Sequence, residues 1–234
     1  MKSFAAGVVT GAAAAGAAVG LAWYLTSRSR RNSGHSRADW SLFYGYRSDA
    51  QPSKTTSPKD TTEEDEKWLR RVPQEYRRIP SEVYGALVRT AVVTCVDVVL
   101  KRPDGCCLLV YRGMEPCQAF WWFPGGRMFK GETFFDTAVR KIKEEAGIDC
   151  KAEKVLGVWN AFYPTSSWDK EGEEGRFGTQ TVNAVVVCEV SQEEGESVKI
   201  DATSEEFLWV KISDILRLGE ELYDRYLVES LKLL

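Results

Sequence analysis

Hydrophobic and polar positions divide the chain into three unlike stretches. Residues 4–25 carry no charge and consist mainly of Ala, Gly, Val and Leu. As a helix this run would be about 33 Å long, enough for a hydrocarbon core about 30 Å thick. Residues 26–67 are polar, with acids gathered at Asp60, Glu63, Glu64, Asp65 and Glu66. Such a stretch buries too little apolar surface to offset its ordering entropy and reads as a disordered tether. An aromatic island over 40–46 (Trp40, Leu42, Phe43, Tyr44, Tyr46) interrupts it. That island suits a membrane interface, packing on the domain, or a partner motif. The organisation predicted is an anchor with its basic flank over 1–31, a linker over 32–72 and one folded domain over 73–234.

Within the domain the periods change from element to element. Ser81 reads as the cap of a helix running to about Arg89. The Val-rich stretch 90–100 and the stretch 106–112 read as two strands of a hairpin turned at Pro103-Asp104-Gly105. A short aromatic strand over 120–123 leads into Pro124-Gly125-Gly126. Over 134–146 Phe135, Ala138, Val139, Ile142 and Ala146 share one helical face, and Gly147 is placed to end it. Strands are predicted over 152–163, 180–190 and 207–211, and helices over 213–218 and 220–233. Mixed β and α elements with hairpins predict an α/β (α+β) fold, a mixed β-sheet flanked by helices.

Charge and rare residues narrow the chemistry. With 31 basic and 34 acidic residues the net charge is −3, which argues against a nucleic-acid partner. The single histidine, His35, lies in the tether, so the domain holds no histidine for a metal site or a Ser-His-Asp triad. Six cysteines form no CxxC pair, consistent with a reducing compartment. Arg28, Arg30 and Arg31 follow the uncharged run and only Lys2 precedes it, which predicts a single-pass N-terminal transmembrane helix with the domain in the cytosol. The run exceeds the usual apolar core of a cleaved signal peptide and lacks the arginines of a mitochondrial presequence. Endoplasmic reticulum and outer mitochondrial membrane both fit. Gly7/Gly11 and Gly16/Gly20 have small-xxx-small spacing, read as a mark of a weak anchor ahead of specific dimerisation.

The stretch from Gly125 to Ile148 carries the chemistry. Gly126 is followed by Glu132, Arg140, the pair Glu144-Glu145 and Gly147 in a fixed register. Carboxylates with a backbone carbonyl suit Mg²⁺ or Mn²⁺, and arginine makes bidentate contacts to phosphate oxygens. Taken singly, each acid here is also an ordinary ion-pairing partner on a helix surface, and Glu132 with Arg140 also suits a structural pair that fixes the loop. The register as a whole resembles the Nudix box, and every constrained position fits except Lys141, where the family has Glu. The resemblance covers about residues 80–215 and implies the Nudix fold, with the sheet sandwiched between helices.

The surroundings are most similar to the GDP-mannose mannosyl hydrolase branch. The similar stretches include Leu87-Val88-Arg89-Thr90, Val96-Asp97-Val98, Tyr111-Arg112, Trp122 to Arg127, and Gly157 to Tyr163. The resemblance implies Mg²⁺-dependent hydrolysis of a nucleoside diphosphate linked to another moiety, a nucleotide sugar such as GDP-mannose. It makes Glu145, with Glu144 and the Gly125 carbonyl, the metal ligands. Glu145, Glu144 and Arg127 become the catalytic groups. Arg112 and Arg127 become diphosphate contacts, Tyr163 a phosphate or nucleotide contact, and Asp97 a sugar or base contact. Homodimers occur in the family. Where the branch has a histidine base this chain has Ser204, beside Thr203, and Asp201 and Glu205 are the neighbouring carboxylates. Attack at phosphorus, and a nucleotide-binding module without catalysis, therefore stand as alternatives.

Overall fold

The structure, a computed structural model, describes residues 44–46, 79–169, 172 and 176–234. The predicted anchor, its basic flank, His35 and the acidic stretch of the linker lie outside the described residues. Among the described residues no helix is long and apolar enough to cross a membrane.

The elements in chain order are β1 (Tyr44–Tyr46), α1 (Ser81–Thr90), β2 (Val93–Lys101), β3 (Cys106–Arg112), β4 (Trp121–Trp122), β5 (Gly125–Arg127), α2 (Phe134–Ala146), β6 (Lys151–Tyr163), β7 (Thr179–Glu189), α3 (Gln192–Glu196), β8 (Ser204–Lys211), α4 (Ile212–Leu218) and α5 (Arg225–Leu231). A 3₁₀ turn, Gly219–Glu221, joins α4 to the segment before α5.

The strands form one mixed sheet in the order β1-β6-β7-β2-β3-β4, with β5 paired to β2 and β8 to β3. β2 and β7 are parallel and both run through the interior, which is why each holds an unbroken apolar run, Val98–Leu100 and Ala184–Cys188. Two apolar clusters lie on opposite faces. Val96, Val98, Leu100, Ala184 and Val186 pack with Ala138, Ile142 and Ala146 of α2. Val99, Leu109 and Val185 pack with Tyr226, Leu227 and Leu231 of α5. The period of two sends alternate residues of each strand to the two helical layers.

Several sequence expectations need correction. Ser81 does not cap α1: Pro80 occupies the N-cap without a side-chain bond, and Ser81 is the first helical residue. The predicted helix over 220–233 is broken; Asp224 caps a shorter one by accepting from the Tyr226 N–H at 2.8 Å. β5 was not predicted; it forms because pairing with Cys95–Asp97 overrides the poor strand propensity of its glycines. α3 was missed altogether; it is five residues long and starts at a capping box between Ser191 and Glu194. Three residues of the predicted tether, Tyr44–Tyr46, pair with β6 as an edge strand, in keeping with the strand preference of Tyr.

Candidate functional site

α2 and the loop before it fix the geometry. Thr133 and Asp136 form a capping box at the start of α2, and Gly147 ends it at φ 73°, a left-handed conformation that favours glycine. Glu132 lies just outside the helix and binds back onto it. Its Oε1 accepts from Arg140 Nε at 2.6 Å, and its Oε2 accepts from Arg140 Nη2 at 2.8 Å, the Phe129 N–H at 2.9 Å and Thr137 Oγ1 at 2.9 Å. Burial pushes Glu132 up, but these donors, Arg140 foremost, outweigh it and hold the carboxyl below the usual range. Arg140 also donates to the Arg127 carbonyl at 3.0 Å and lies 3.7 Å over the Phe129 ring. Glu132 and Arg140 are therefore the pair that shapes the loop, as one reading of the sequence had them.

Gly125 meets β2 at the closest approach in the site. A Cβ there would lie 2.6 Å from Asp97 Oδ1 and would clash with the Val96 carbonyl, so only glycine fits. Its N–H donates to Glu145 Oε2 at 2.9 Å. This ties the glycine loop to the end of α2.

The adjacent acids Glu144 and Glu145 have different fates. Glu145 is buried at 5% exposure, whereas the Glu144 side chain is 45% exposed. Burial raises the Glu145 carboxyl above its ordinary value, against the pull of Lys141 and the Gly125 N–H. The Lys141 ammonium lies 2.6 Å from Glu145 Oε1 and 3.3 Å from Glu144 Oε2. Arg140 Nη1 reaches the same Glu144 oxygen at 3.1 Å.

The metal-ligand assignment does not fit this arrangement. Mg²⁺ and Mn²⁺ need several free oxygens. Both oxygens of Glu145 are engaged, Glu144 is shared by two cations, and Glu132 is saturated. Lys141 fills the gap between Glu144 and Glu145 that the expected cation would take. Among the described residues no group of three or more His, Cys, Asp or Glu is arranged to hold a metal ion.

Beside this cluster opens a cavity of about 390 Å³. Arg112, Arg127 and Lys141 contribute cations to its wall, together with Gly125, Gly126 and Glu145. Arg127 is held between the rings of Tyr84 and Phe129, 4.9 Å and 4.7 Å from their centroids. Arg112 Nε donates to the Pro116 carbonyl at 3.0 Å. Tyr163 and Trp122 form an aromatic part of the wall, their rings 6.5 Å apart. The predicted contacts Arg112, Arg127, Asp97 and Tyr163 are thus all brought to one cavity.

The floor comes from β2 and β7. Asp97 is buried, and its Oδ2 accepts from Asn183 Nδ2 at 2.5 Å and from the Tyr226 hydroxyl at 2.7 Å. Burial raises its carboxyl above the ordinary range, and the Tyr226 and Asn183 donors offset this only in part. Asn183 Oδ1 and Thr181 Oγ1 are buried without a hydrogen-bond partner, and both residues line the cavity. An unpaired buried acceptor is costly, and in a cavity wall it points to a polar group of a ligand. Sequence reasoning missed Thr181 and Asn183. Their signal is the polar alternation Thr179, Thr181, Asn183, which becomes apolar at Val185 on the same face of β7.

Other candidates take structural places. Asp201 caps its own turn, its Oδ1 accepting from the Thr203 N–H at 2.9 Å and from Thr203 Oγ1 at 2.5 Å. Glu205 is exposed and is not among the residues that line the cavity. Neither stands in for the missing histidine. Cys95 lines the cavity, but burial pushes its thiol up to about 12, so it is not a nucleophile at neutral pH.

A glycine loop is thus locked onto a helix by Glu132 and Arg140 and opens on a cation-lined cavity. The NUDIX domain model matches residues 92–231, and the chain belongs to that family as a Nudix hydrolase. It is 39% identical over 110 residues to the low-salt glycan biosynthesis protein Agl8 of Haloferax volcanii, covering 47% of this chain and 69% of that protein. It is 41% identical over 51 residues to human 8-oxo-dGDP phosphatase NUDT18, covering 22% of this chain and only 16% of that protein. Among solved structures, the MutT protein from Methanosarcina mazei is 19% identical with a TM-score of 0.46, covering 60% of this chain and 91% of that one.

Proposed function

We propose that the protein hydrolyses a nucleoside diphosphate linked to a sugar or a similarly hydroxylated group, a nucleotide sugar such as GDP-mannose. The observation that carries this reading is one cavity with two kinds of wall. Three cations, Arg112, Arg127 and Lys141, suit a diphosphate. Asp97, Asn183 and Thr181 offer buried acceptors, two of them unpaired, that suit hydroxyl groups. The likeness to a protein named for glycan biosynthesis supports the sugar.

In this reading Arg112 and Arg127 hold the diphosphate and neutralise the charge that develops on the leaving phosphate oxygen. Asp97, whose Oδ2 is held by Asn183 and Tyr226 in the floor of the cavity, is placed to orient a sugar hydroxyl or to take a proton from attacking water. Release of GDP marks attack at the sugar carbon; release of GMP with mannose 1-phosphate marks attack at phosphorus.

Calorimetry with GDP-mannose tests the assignment. Arg112→Ala is expected to weaken binding roughly tenfold or more, as loss of a charge-assisted phosphate contact should. Equal affinity of the variant and the wild type contradicts it.

We also propose that residues 4–25 anchor the protein in a membrane with the domain on the cytosolic side, supported by the uncharged run and the arginines after it. The full-length chain is expected to stay with the membrane pellet after alkaline carbonate extraction. Release into the supernatant contradicts this.

A further inference from the structure

We propose that the ammonium of Lys141 is the resident counter-cation of this site: it pairs with Glu145 and, together with Arg140, with Glu144 where the family has a divalent metal, and it turns its charge toward the diphosphate. The second half of this statement rests on the proposed function; the first does not.

Lys141 lies one helical turn before Glu145 on α2, so the helix itself brings the two together. Its nitrogen is 2.6 Å from Glu145 Oε1 and 3.3 Å from Glu144 Oε2. The Lys141 side chain is only 15% exposed, unlike a solvated lysine tail. Its stem is seated against Gly126, where a Cβ would lie 3.0 Å from Lys141 Cε. The loop is therefore shaped around the lysine as well as around Glu145.

Every carboxylate of the cluster has a cationic partner without an added ion, with two cations shared among three carboxylates. Glu132 is matched by Arg140, Glu144 is shared between Arg140 and Lys141, and Glu145 is held by Lys141 and the Gly125 N–H. A divalent cation brought to Glu145 would have to displace an ammonium already at hydrogen-bond distance or approach it against like-charge repulsion. Lys141 also lines the cavity with Arg112 and Arg127, so its charge is available to a phosphate oxygen there.

The test uses the full-length protein, with Mn²⁺ followed by electron paramagnetic resonance and stability followed by thermal melting. Wild type and Lys141→Arg are expected to leave Mn²⁺ free and to melt at the same temperature with Mn²⁺ or with EDTA. Lys141→Ala and Lys141→Glu are expected to bind Mn²⁺ at least roughly tenfold more tightly, because the competing charge is gone. Lys141→Glu should also melt lower in EDTA and recover on adding Mn²⁺, as ligand linkage requires. If Lys141→Glu does not fold, Lys141→Ala decides the matter. Wild type that binds Mn²⁺ as tightly as Lys141→Ala overturns the proposal.

Calorimetry with GDP in EDTA addresses the second half. Wild type is expected to bind GDP without metal, and Lys141→Ala to bind it roughly tenfold more weakly. Binding only when Mn²⁺ is present overturns that half. Failure to bind GDP under either condition overturns it together with the proposed function, while the Mn²⁺ measurement still decides whether Lys141 is the resident cation.

Discussion

At the scale of single residues, neighbouring acids of like sequence do unlike work. Glu132 is a structural anchor, Glu145 a buried member of the site and Glu144 a half-exposed partner of two cations. The Glu132 carboxyl is raised by burial but held below its usual value by Arg140, the Phe129 N–H and Thr137. A carboxyl depressed in the folded state stabilises the fold above its unfolded pKa, and that stability is lost as pH falls through the folded value. Glu132→Gln should therefore cost roughly 2 kcal/mol in urea unfolding at neutral pH, because it removes the charge-assisted bonds from Arg140, which keeps only Glu144 and the Arg127 carbonyl. The deficit should shrink toward acid pH, where wild-type Glu132 is itself protonated. A deficit constant with pH would show that charge pairing is not what Glu132 supplies. Charge position also marks what the sequence hid. Helical periodicity places Glu144 and Glu145 about 100° apart, yet which of them turns inward depends on where β5 and Gly125 lie. Lys141 stood out as a departure from the box, but only the fold shows it paired with Glu145.

At the scale of elements, the sequence was most legible where local and tertiary demands agree. The predicted bounds of α2, 134–146, are those observed, because Thr133, Asp136 and Gly147 supply both ends and the apolar face matches the sheet. The two long strands β6 and β7 were read to within a residue at each end. Legibility failed where long-range pairing decides. β5 is a strand only because β2 lies beside it, and β8 begins at Ser204, three residues before the predicted start, because Arg112 and Tyr111 pair with Ser204 and Glu206. Since α2 carries Arg140, Lys141 and Glu145 together, its cap bears on the whole site. Thr133→Ala is expected to lower stability by about 1 kcal/mol, the usual worth of a helix cap, measured by thermal or urea unfolding. Unchanged stability would mean that packing alone fixes the start of α2.

At the scale of the whole molecule, the site lies where the mixed sheet gives up its apolar floor. β2 and β7 are apolar through Val98–Leu100 and Ala184–Cys188, and the polar residues Asp97, Thr181 and Asn183 that precede these runs line the cavity. α2 closes one face and α5 the other, with Tyr226 of α5 donating to Asp97. The fold thus joins a charged loop to a polar floor that are far apart in sequence, with Asn183 and Asp97 in direct contact. That joining is what supports a diphosphate bearing a hydroxylated group over a bare phosphate ester. The family was readable from the box because its register is long; of the substrate-facing floor only Asp97 was, since Thr181 and Asn183 join it only through the pairing of β2 with β7. The most direct test is phosphorus NMR of the full-length protein incubated with GDP-mannose, UDP-glucose and ADP-ribose. The diphosphate resonances of at least one nucleotide sugar should be replaced by those of a nucleoside diphosphate, or of a nucleoside monophosphate with a sugar phosphate. Spectra unchanged for all three would contradict the account.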